Sequence, residues 1–497
     1  MTMVRRLALV ALLALGACAA PLVAMNRPIG TNAEGQPDFA ANYGLAPYVD
    51  RIARGEHTSD DAAGSDVLLF VTISGGGKRA AAFGHGALRG LGEIPLSPPD
   101  GRRLSMLNVL DYIAGVSGGS FPAAHYGLYR DRSFETFPRE FLRVDINAFI
   151  WGIYLLPWNW AWLSDPQTGT NDYMARVYDR LMFHGATFAD LERYGRPIVS
   201  INATDITNGA TFSMLGTNFG LLCSDINSFS IARAVAASNG FPGLFSAVSL
   251  RSYAERCNGA RPPLAAVATA APHEGESDIV RRRELARLQD TYADPDRTHW
   301  VHLMDGGIAD NLALRSLLNL FIVLRGEQAL FRQTALKIRR VLVLSIDGQA
   351  APPRTLALQR STGGVLSAIS AASGTQIDVY NFETLALARQ QVNHLADGVR
   401  AIRCETAPVI DGRPCEDVRG ELVHISLADV QDAAWRDRLG AIPTGLTLED
   451  EDVDALVRFG TELVRDNPTI RAVARDAGFP RPGPAVLSSA PRRTTRR

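Results

Sequence analysis

Apolar runs of four to eight residues recur along the chain and predict buried β-strands. They span Val67–Ile73, Leu107–Ala114, Pro197–Ala203, Val301–Met304 and Arg340–Ile346. Between or after these runs lie stretches with helical character, at 78–91, 120–128, 228–238 and 376–395. The alternation of strands and helices predicts an α/β fold, in which helices cover both faces of a mostly parallel central sheet.

A further apolar run, at residues 7–15, predicts export. Two arginines precede this run, which is too short to anchor a chain in a bilayer. The run ends in the letters LGAC, which resemble the lipidation box of bacterial lipoproteins, and Ala19 favours the outer membrane. We therefore expect 1–17 to be a signal peptide and Cys18 to carry the lipid in the bacterial cell envelope. An ordinary signal peptide with a chance cysteine is the alternative.

Changes in composition divide the rest of the chain into segments. The expected segments are a lipidated tether or linker at 18–65, a main domain at 66–350, a mainly helical C-terminal extension at 351–478 and a disordered tail at 479–497. Two insertions are expected within the main domain, a Trp-rich one at 146–165 and a charged one at 255–298. We expect the charged insertion to lie on the surface.

Composition and charge exclude several classes of protein. The 497 residues include 51 Lys and Arg against 52 Asp and Glu, so no basic face for nucleic acid is predicted. An apolar fraction of 46% excludes a mostly disordered chain. After Cys18 four cysteines remain, an even number that suggests disulfides in an exported protein. Three pairings are open, free thiols are the alternative, and the cysteines in question are Cys223, Cys257, Cys404 and Cys415.

The second apolar run leads into Gly115-Val116-Ser117-Gly118-Gly119, which matches the G-x-S-x-G pattern of a nucleophile elbow. The elbow needs a serine on a sharp turn between a strand and a helix. The flanking Gly115 and Gly119 remove the Cβ clashes that such a turn would create. The sequence therefore predicts a serine nucleophile, and a purely structural tight turn is the alternative.

The first apolar run leads into three glycines, Gly75, Gly76 and Gly77, followed by Lys78 and Arg79. Consecutive glycines allow backbone N–H groups to point at an anion. A nucleotide phosphate loop requires Ser or Thr after the lysine, and the arginine at that position disfavours it. An oxyanion hole is the preferred interpretation, and a simple turn between strand and helix is the alternative.

A serine nucleophile needs a base, and Asp305 is the leading candidate. It follows a short apolar run and precedes two glycines, which leave space around its carboxylate. A partly desolvated aspartate can accept the serine proton directly. A histidine triad is the alternative, with His302, His394 or His424 as the base.

In this order, the glycine loop, the serine and the Asp-Gly-Gly segment resemble the patatin-like phospholipase family. Residues 204–205 and 236–242 are also similar to family segments that support the site. The resemblance covers roughly residues 66–350. It implies a three-layer α/β/α fold and a Ser117–Asp305 dyad that uses neither histidine nor cofactor. It also implies oxyanion stabilisation by Gly75, Gly76 and Gly77 with support from Arg79. Ser74 and Ala80 depart from the family loop, which begins with Asp and ends with Gly.

The Trp-rich insertion contains four of the six tryptophans of the chain at 147–163. Tryptophan favours the membrane interface, so this segment is a candidate lid or interfacial helix, with a Trp-rich piece of core as the alternative. The expected function is hydrolysis of a lipid or other acyl ester through an acyl-enzyme. The alternatives are a Ser-His-Asp esterase or protease, and a lipoprotein that binds lipid or a partner without turnover.

Overall fold

The computed structural model describes residues 26–44, 65–156, 160, 169–193, 195–265, 275–326, 328–349 and 365–479. The predicted signal peptide, the lipidation site Cys18 and residues 480–497 of the predicted tail lie outside the described residues. Parts of the predicted tether and of both insertions also lie outside them. Within the described ranges, no helix is both long and apolar enough to cross a membrane.

One central sheet contains eight of the described strands. The strands are β1 (Arg27–Pro28), β2 (Val67–Ile73), β3 (Pro95–Leu96), β4 (Leu104–Ser105), β5 (Leu110–Val116), β6 (Ile198–Asp205), β7 (Ala210–Ser213), β8 (Ser224–Asp225), β9 (Val248–Arg251), β10 (Trp300–Met304), β11 (Arg340–Asp347), β12 (Val409–Ile410), β13 (Arg413–Pro414) and β14 (Arg419–Ser426). The order in the sheet is β14-β11-β2-β5-β6-β10-β9, and β7 pairs with β6. The first five of these run parallel, whereas β10, β9 and β7 are antiparallel to their neighbours.

Helices cover this sheet in a three-layer α/β/α arrangement, which confirms the predicted fold class. The α-helices are α1 (Gly77–Gly92), α2 (Ser120–Tyr129), α3 (Ser133–Phe137), α4 (Ile146–Leu155), α5 (Thr170–Tyr178), α6 (Phe188–Glu192), α7 (Gly216–Leu221), α8 (Ile231–Ser238), α9 (Glu276–Ala293), α10 (Gly307–Asp310), α11 (Leu314–Gly326), α12 (Gln328–Ala335), α13 (Val365–Thr406), α14 (Ala433–Ala441), α15 (Asp450–Arg465) and α16 (Pro468–Asp476). The strands β5 and β6 are buried along their whole length because layers lie on both faces.

Strand β5 begins three residues later than the apolar run Leu107–Ala114 indicated. Residues Met106–Val109 form a 3₁₀ turn, in which the side chain of Asn108 accepts a hydrogen bond from the backbone of Ser105. The turn buries the same apolar side chains that a strand would bury, so periodicity alone did not distinguish the two. The strand itself therefore starts at Leu110.

The C-terminal region is part of the sheet and not only a helical extension. Its strand β14 runs parallel to β11 over eight residue pairs, from Arg340 opposite Arg419 to Asp347 opposite Ser426. Its helix α15 packs on α1, where the Thr461 hydroxyl donates to the carbonyl of Gly86 at 3.0 Å. The boundary predicted at residue 350 therefore divides a single packed unit.

The charged insertion is less exposed than expected. Its helix α9 faces α11, and the fully buried Asp278 carboxylate pairs with Arg325 at 3.0 Å. The guanidinium of Arg282 is also buried and donates to the carbonyl of Ile322 at 2.6 Å. Charges at these positions are tolerated because each has a buried partner.

The described part of the predicted tether, residues 26–44, packs against the main domain. β1 pairs with β8, and the buried Tyr43 hydroxyl accepts the backbone N–H of Val199 at 2.7 Å. These residues therefore belong to the folded unit, which corrects the expectation that 18–65 is a tether or linker over its whole length. The four cysteines of the described residues form two disulfides. Each disulfide joins two cysteines that are consecutive among the cysteines of the chain, Cys223 with Cys257 and Cys404 with Cys415.

Candidate active site

The turn after β5 has the geometry of a nucleophile elbow. Ser117 has a φ of +49°, a backbone angle that residues other than glycine rarely adopt. Helix α2 starts three residues later. A Cβ on Gly119 would lie 2.4 Å from the carbonyl oxygen of Ile73, and one on Gly115 would lie 2.5 Å from that of Gly119. Close backbone contacts therefore leave no room for a side chain at either glycine.

Ser117 and Asp305 meet in space although 188 positions separate them. The serine hydroxyl donates a hydrogen bond to Oδ2 of the aspartate at 2.9 Å. The other carboxylate oxygen accepts the backbone N–H of Gly307 at 2.9 Å. Burial raises the pKa of Asp305 to about 6, and the two hydrogen bonds oppose that rise. A carboxylate with this pKa is ionised at neutral pH and is more basic than an ordinary aspartate.

The aspartate is held by its backbone as well as by its side chain. Its N–H donates to the carbonyl of Gly240 at 3.0 Å, and its carbonyl accepts the Thr204 hydroxyl at 2.8 Å. Thr204 and Gly240 lie in the two supporting segments that the family resemblance had indicated. The antiparallel pairing of β10 with β6 places Thr204 opposite Met304, the residue before the aspartate.

Ser238 and Asn239 are also hydrogen-bonded to Ser117, although no role was predicted for them from the sequence. The Ser238 hydroxyl accepts the backbone N–H of Ser117 at 2.9 Å and donates to the carbonyl of Asn202 at 2.6 Å. The amide oxygen of Asn239 lies 3.2 Å from the Ser117 hydroxyl, and its nitrogen donates to the Tyr178 hydroxyl at 3.3 Å. The family-like segment 236–242 was the available signal, but it does not reveal these atoms.

In the glycine loop, Gly75 differs from the expected oxyanion donor, whereas Arg79 makes contacts that support the loop. The N–H of Gly75 donates to the carbonyl of Asn311 at 2.9 Å, so this N–H is not free for an oxyanion. The Arg79 guanidinium donates to the carbonyls of Gly348, at 2.7 Å, and Ile442. Both residues therefore hold the loop in place through backbone carbonyls, Gly75 through that of Asn311 and Arg79 through those of Gly348 and Ile442.

Gly76 and Gly77 remain as the candidate oxyanion donors of the loop. In the described part of the chain, neither of their N–H groups has a hydrogen-bond acceptor. Gly77 has a φ of +62°, and a Cβ on it would lie 2.3 Å from the carbonyl oxygen of Gly445. A Cβ on Gly118 would lie 1.9 Å from the carbonyl oxygen of Gly77. The loop therefore touches the serine elbow directly.

The histidines of the alternative triad have other partners. His302 bonds to the Ser249 hydroxyl at 2.7 Å, and His394 lies 3.4 Å from the Asp278 carboxylate. His424 lies between the Ser345 hydroxyl and Asp347 on the neighbouring strand β11. Within the described residues, no histidine is hydrogen-bonded to the candidate nucleophile or to its aspartate.

Comparison with known proteins identifies a matching family model. The model of the patatin-like phospholipase family matches residues 71–318. These residues form a patatin-like phospholipase domain. The domain includes the elbow, the glycine loop and the Asp-Gly-Gly segment. It ends before β11, β14 and the residues 442–445 that hold the loop. No curated protein matches the chain.

Solved structures of a human protein are also similar to this chain. Human GIVD cytosolic phospholipase A2 is 14% identical over 82% of this chain and 62% of its own, with a TM-score of 0.41. The same human protein with methyl γ-linolenyl fluorophosphonate is 14% identical over 87% of this chain, with a TM-score of 0.40. The chain thus spans about three fifths of the length of the solved structures that it matches.

Proposed function

We propose that the chain is a serine lipid acyl hydrolase of the phospholipase A or lysophospholipase type, acting on a carboxylic ester through an acyl-enzyme. The observation that carries this proposal is the 2.9 Å hydrogen bond from the Ser117 hydroxyl to Asp305. It supplies a nucleophile and a base at hydrogen-bonding distance, as covalent acyl transfer requires. The patatin-like phospholipase domain supports a lipid as the acyl donor.

In the acylation step, the Ser117 oxygen attacks the ester carbonyl while Asp305 accepts the hydroxyl proton. The carbonyl oxygen becomes an oxyanion, which the N–H groups of Gly76 and Gly77 stabilise. Asp305 then gives the proton to the departing alcohol oxygen as the ester bond breaks. The acyl group remains on the serine.

In the deacylation step, a water molecule attacks the acyl-serine and Asp305 accepts one of its protons. Collapse of the second tetrahedral intermediate returns that proton to the serine oxygen and releases the fatty acid. The backbone contacts of Asp305 keep its carboxylate in one place through both steps. The base is ionised for each attack because neutral pH lies above its pKa of about 6.

Labelling with a fluorophosphonate probe tests the nucleophile. The probe should label the wild-type chain and leave Ser117→Ala unlabelled, whereas the control Ser249→Ala should be labelled like the wild type. Hydrolysis should fall by at least about 10⁴-fold in Ser117→Ala. A wild-type chain that neither reacts with the probe nor hydrolyses any lipid ester would instead favour a binding lipoprotein.

Single replacement of His302, His394 and His424 by glutamine tests the triad alternative. The dyad predicts that all three variants keep their hydrolytic activity, because none of these histidines is hydrogen-bonded to the nucleophile. Loss of labelling by the probe in one of these variants, with normal thermal unfolding, would favour a histidine-dependent esterase or protease.

We further propose that a lipid on Cys18 anchors the chain in the outer membrane of a bacterial envelope. Two disulfides in the folded domain support export to an oxidising compartment. Metabolic labelling with a fatty acid should modify the wild-type chain and not Cys18→Ser. Equal labelling of the two chains would contradict the anchor.

A further inference from the structure

Helix α4 exposes a group of large apolar side chains close to the active site. We call this group the α4 patch, and its members are Trp151, Leu155 and Leu156, which are 61%, 70% and 37% exposed. Helix α4 packs on α5, whose last residue Tyr178 is hydrogen-bonded to Asn239. Since Asn239 contacts the candidate nucleophile, helix α5 links the helix that carries the patch to the site.

The loops that carry the site also expose apolar side chains. Phe241 and Leu244 follow Asn239 in the chain and are 37% and 40% exposed. Ile308 follows Asp305 by three positions and is 38% exposed. The loops that carry Asp305 and Asn239 therefore expose apolar side chains beside the candidate site.

Helix α13 of the C-terminal region exposes a second group. We call this group the α13 patch, and its members are Val379, Tyr380 and Phe382, which are 61%, 46% and 73% exposed. Asn381 donates to the side-chain oxygen of Gln349 at 2.6 Å, and Asn311 donates to the same oxygen at 3.2 Å. Because the carbonyl of Asn311 holds Gly75, this patch is connected to the glycine loop.

We propose that the α4 patch, the α13 patch and the apolar loop residues between them form one docking surface for a lipid bilayer. Exposed groups of large apolar side chains mark interaction sites, and Trp and Tyr side chains favour the boundary between lipid and water. The inference rests on the proposed function. It adds that the substrate is taken from packed lipid and not from lipid dissolved as monomers.

The composition of the surface favours a bilayer over a protein partner. Residues 146–156 and 239–246 contain no charged side chain, whereas Asp378 and Glu383 flank the α13 patch in sequence and the Arg315 guanidinium lies 5.1 Å from the centre of the Tyr380 ring. A protein interface would need polar partners for about one hydrogen bond per 100–200 Å². A protein bound here would also cover the entrance to the serine. Because two of the three parts carry no charge and the third carries charges of both signs, attachment should depend on apolar insertion and not on anionic lipid.

Vesicle binding of an inactive, unanchored chain tests the docking surface. The chain carries Cys18→Ser, so that no lipid anchor contributes, and Ser117→Ala, so that the vesicles are not hydrolysed. It should sediment with phosphatidylcholine vesicles and bind equally well when part of that lipid is replaced by phosphatidylglycerol. Trp151→Ser and Phe382→Ser, added singly, should each weaken vesicle binding about tenfold, because each removes a large side chain from the lipid.

Trp300→Ser is the matched control. Trp300 is 48% exposed at the start of β10, at the opposite end of the strand from Asp305. Its replacement should leave vesicle binding unchanged. The docking surface is wrong if Trp151→Ser and Phe382→Ser bind vesicles as tightly as their parent, or if Trp300→Ser weakens binding equally. If the chain that keeps Ser117 shows neither ester hydrolysis nor probe labelling but binds vesicles normally, the proposed function is overturned. The docking surface would then still stand.

Discussion

The two halves of the candidate active site are held by different regions of the chain. The serine and its aspartate take their contacts from Thr204, Ser238, Asn239 and Gly240, all within the patatin-like domain at 71–318. The glycine loop, in contrast, takes most of its contacts from residues beyond that domain. A nucleophile and its base can therefore be complete while the oxyanion loop still depends on the C-terminal region.

The contacts of the loop show how strong this dependence is. Lys78 donates its backbone N–H to the carbonyl of Gly445 at 2.8 Å, and Arg79 reaches Gly348 and Ile442. The buried Ser74 hydroxyl accepts the N–H of Gly348 at 2.9 Å. Residues after 318 thus help to build the candidate site, and variants can disturb one half of the site without the other.

The largest effect is expected on the half that contains the dyad. Asp305→Asn keeps the shape of the side chain but removes the base, so hydrolysis should fall by about 10³–10⁴-fold. The variant should still unfold at nearly the same temperature, because burial opposes the charge that the substitution removes. Turnover close to that of the wild type would exclude Asp305 from the mechanism.

A smaller effect is expected on the half that contains the loop. In Gly77→Ala the new Cβ would lie 2.3 Å from the carbonyl oxygen of Gly445, so the loop must move. Misplacing one oxyanion donor should lower kcat by about 10²–10³-fold with little change in KM.

Gly92→Ala is the control for that variant. It lies in the same helix α1, and its Cβ would meet only a side-chain atom of Leu107 at 3.5 Å. If Gly77→Ala keeps a normal kcat, as Gly92→Ala should, then the loop is not the source of the oxyanion donors.

The pH dependence of kcat/KM reports on the dyad half. The pKa of Asp305 is raised to about 6, so the carboxylate is ionised above that pH and protonated below it. Below pH 6 kcat/KM should fall about tenfold per pH unit, because the protonated acid cannot accept the serine proton. If kcat/KM stays constant down to pH 4.5, the base either has an ordinary aspartate pKa or is another residue.

Arg79→Lys should give the smallest effect and act on the loop half alone. The lysine keeps the charge but cannot reach both carbonyls that the guanidinium binds. We expect a several-fold lower kcat and a free energy of unfolding that is lower by about 1.5–3 kcal/mol. The low-pH limb of kcat/KM should not shift, since Asp305 is untouched. A shifted limb would show that the two halves are not independent.

Local patterns predicted the sheet strands around the site well. The run Val67–Ile73 is strand β2 with the same bounds, and the run that begins at Arg340 continues one residue further than expected. The serine and aspartate could be chosen because each ends a strand and is followed by glycine. Their hydrogen bond is present, while their catalytic roles remain predictions for the experiments above.

Other features could not be read from local pattern. The strand β14 is less apolar than its neighbours because it lies at the sheet edge, and its pairing with β11 decides that it is a strand. Asp278 is charged in sequence yet fully buried, because Arg325 comes from another helix. Such partners are far away along the chain, so no local window contains them.

The amino-acid order alone therefore determined the strands with continuous apolar runs, the glycine-flanked serine turn and the choice of aspartate. These features depend on backbone sterics and on burial, which act over a few neighbouring residues. Tertiary contact decided which N–H groups of the glycine loop remain free, where Arg79 points and which apolar side chains surround the entrance. A hydrogen bond or an exposed face exists only once distant segments have packed, and that packing depends on the whole chain.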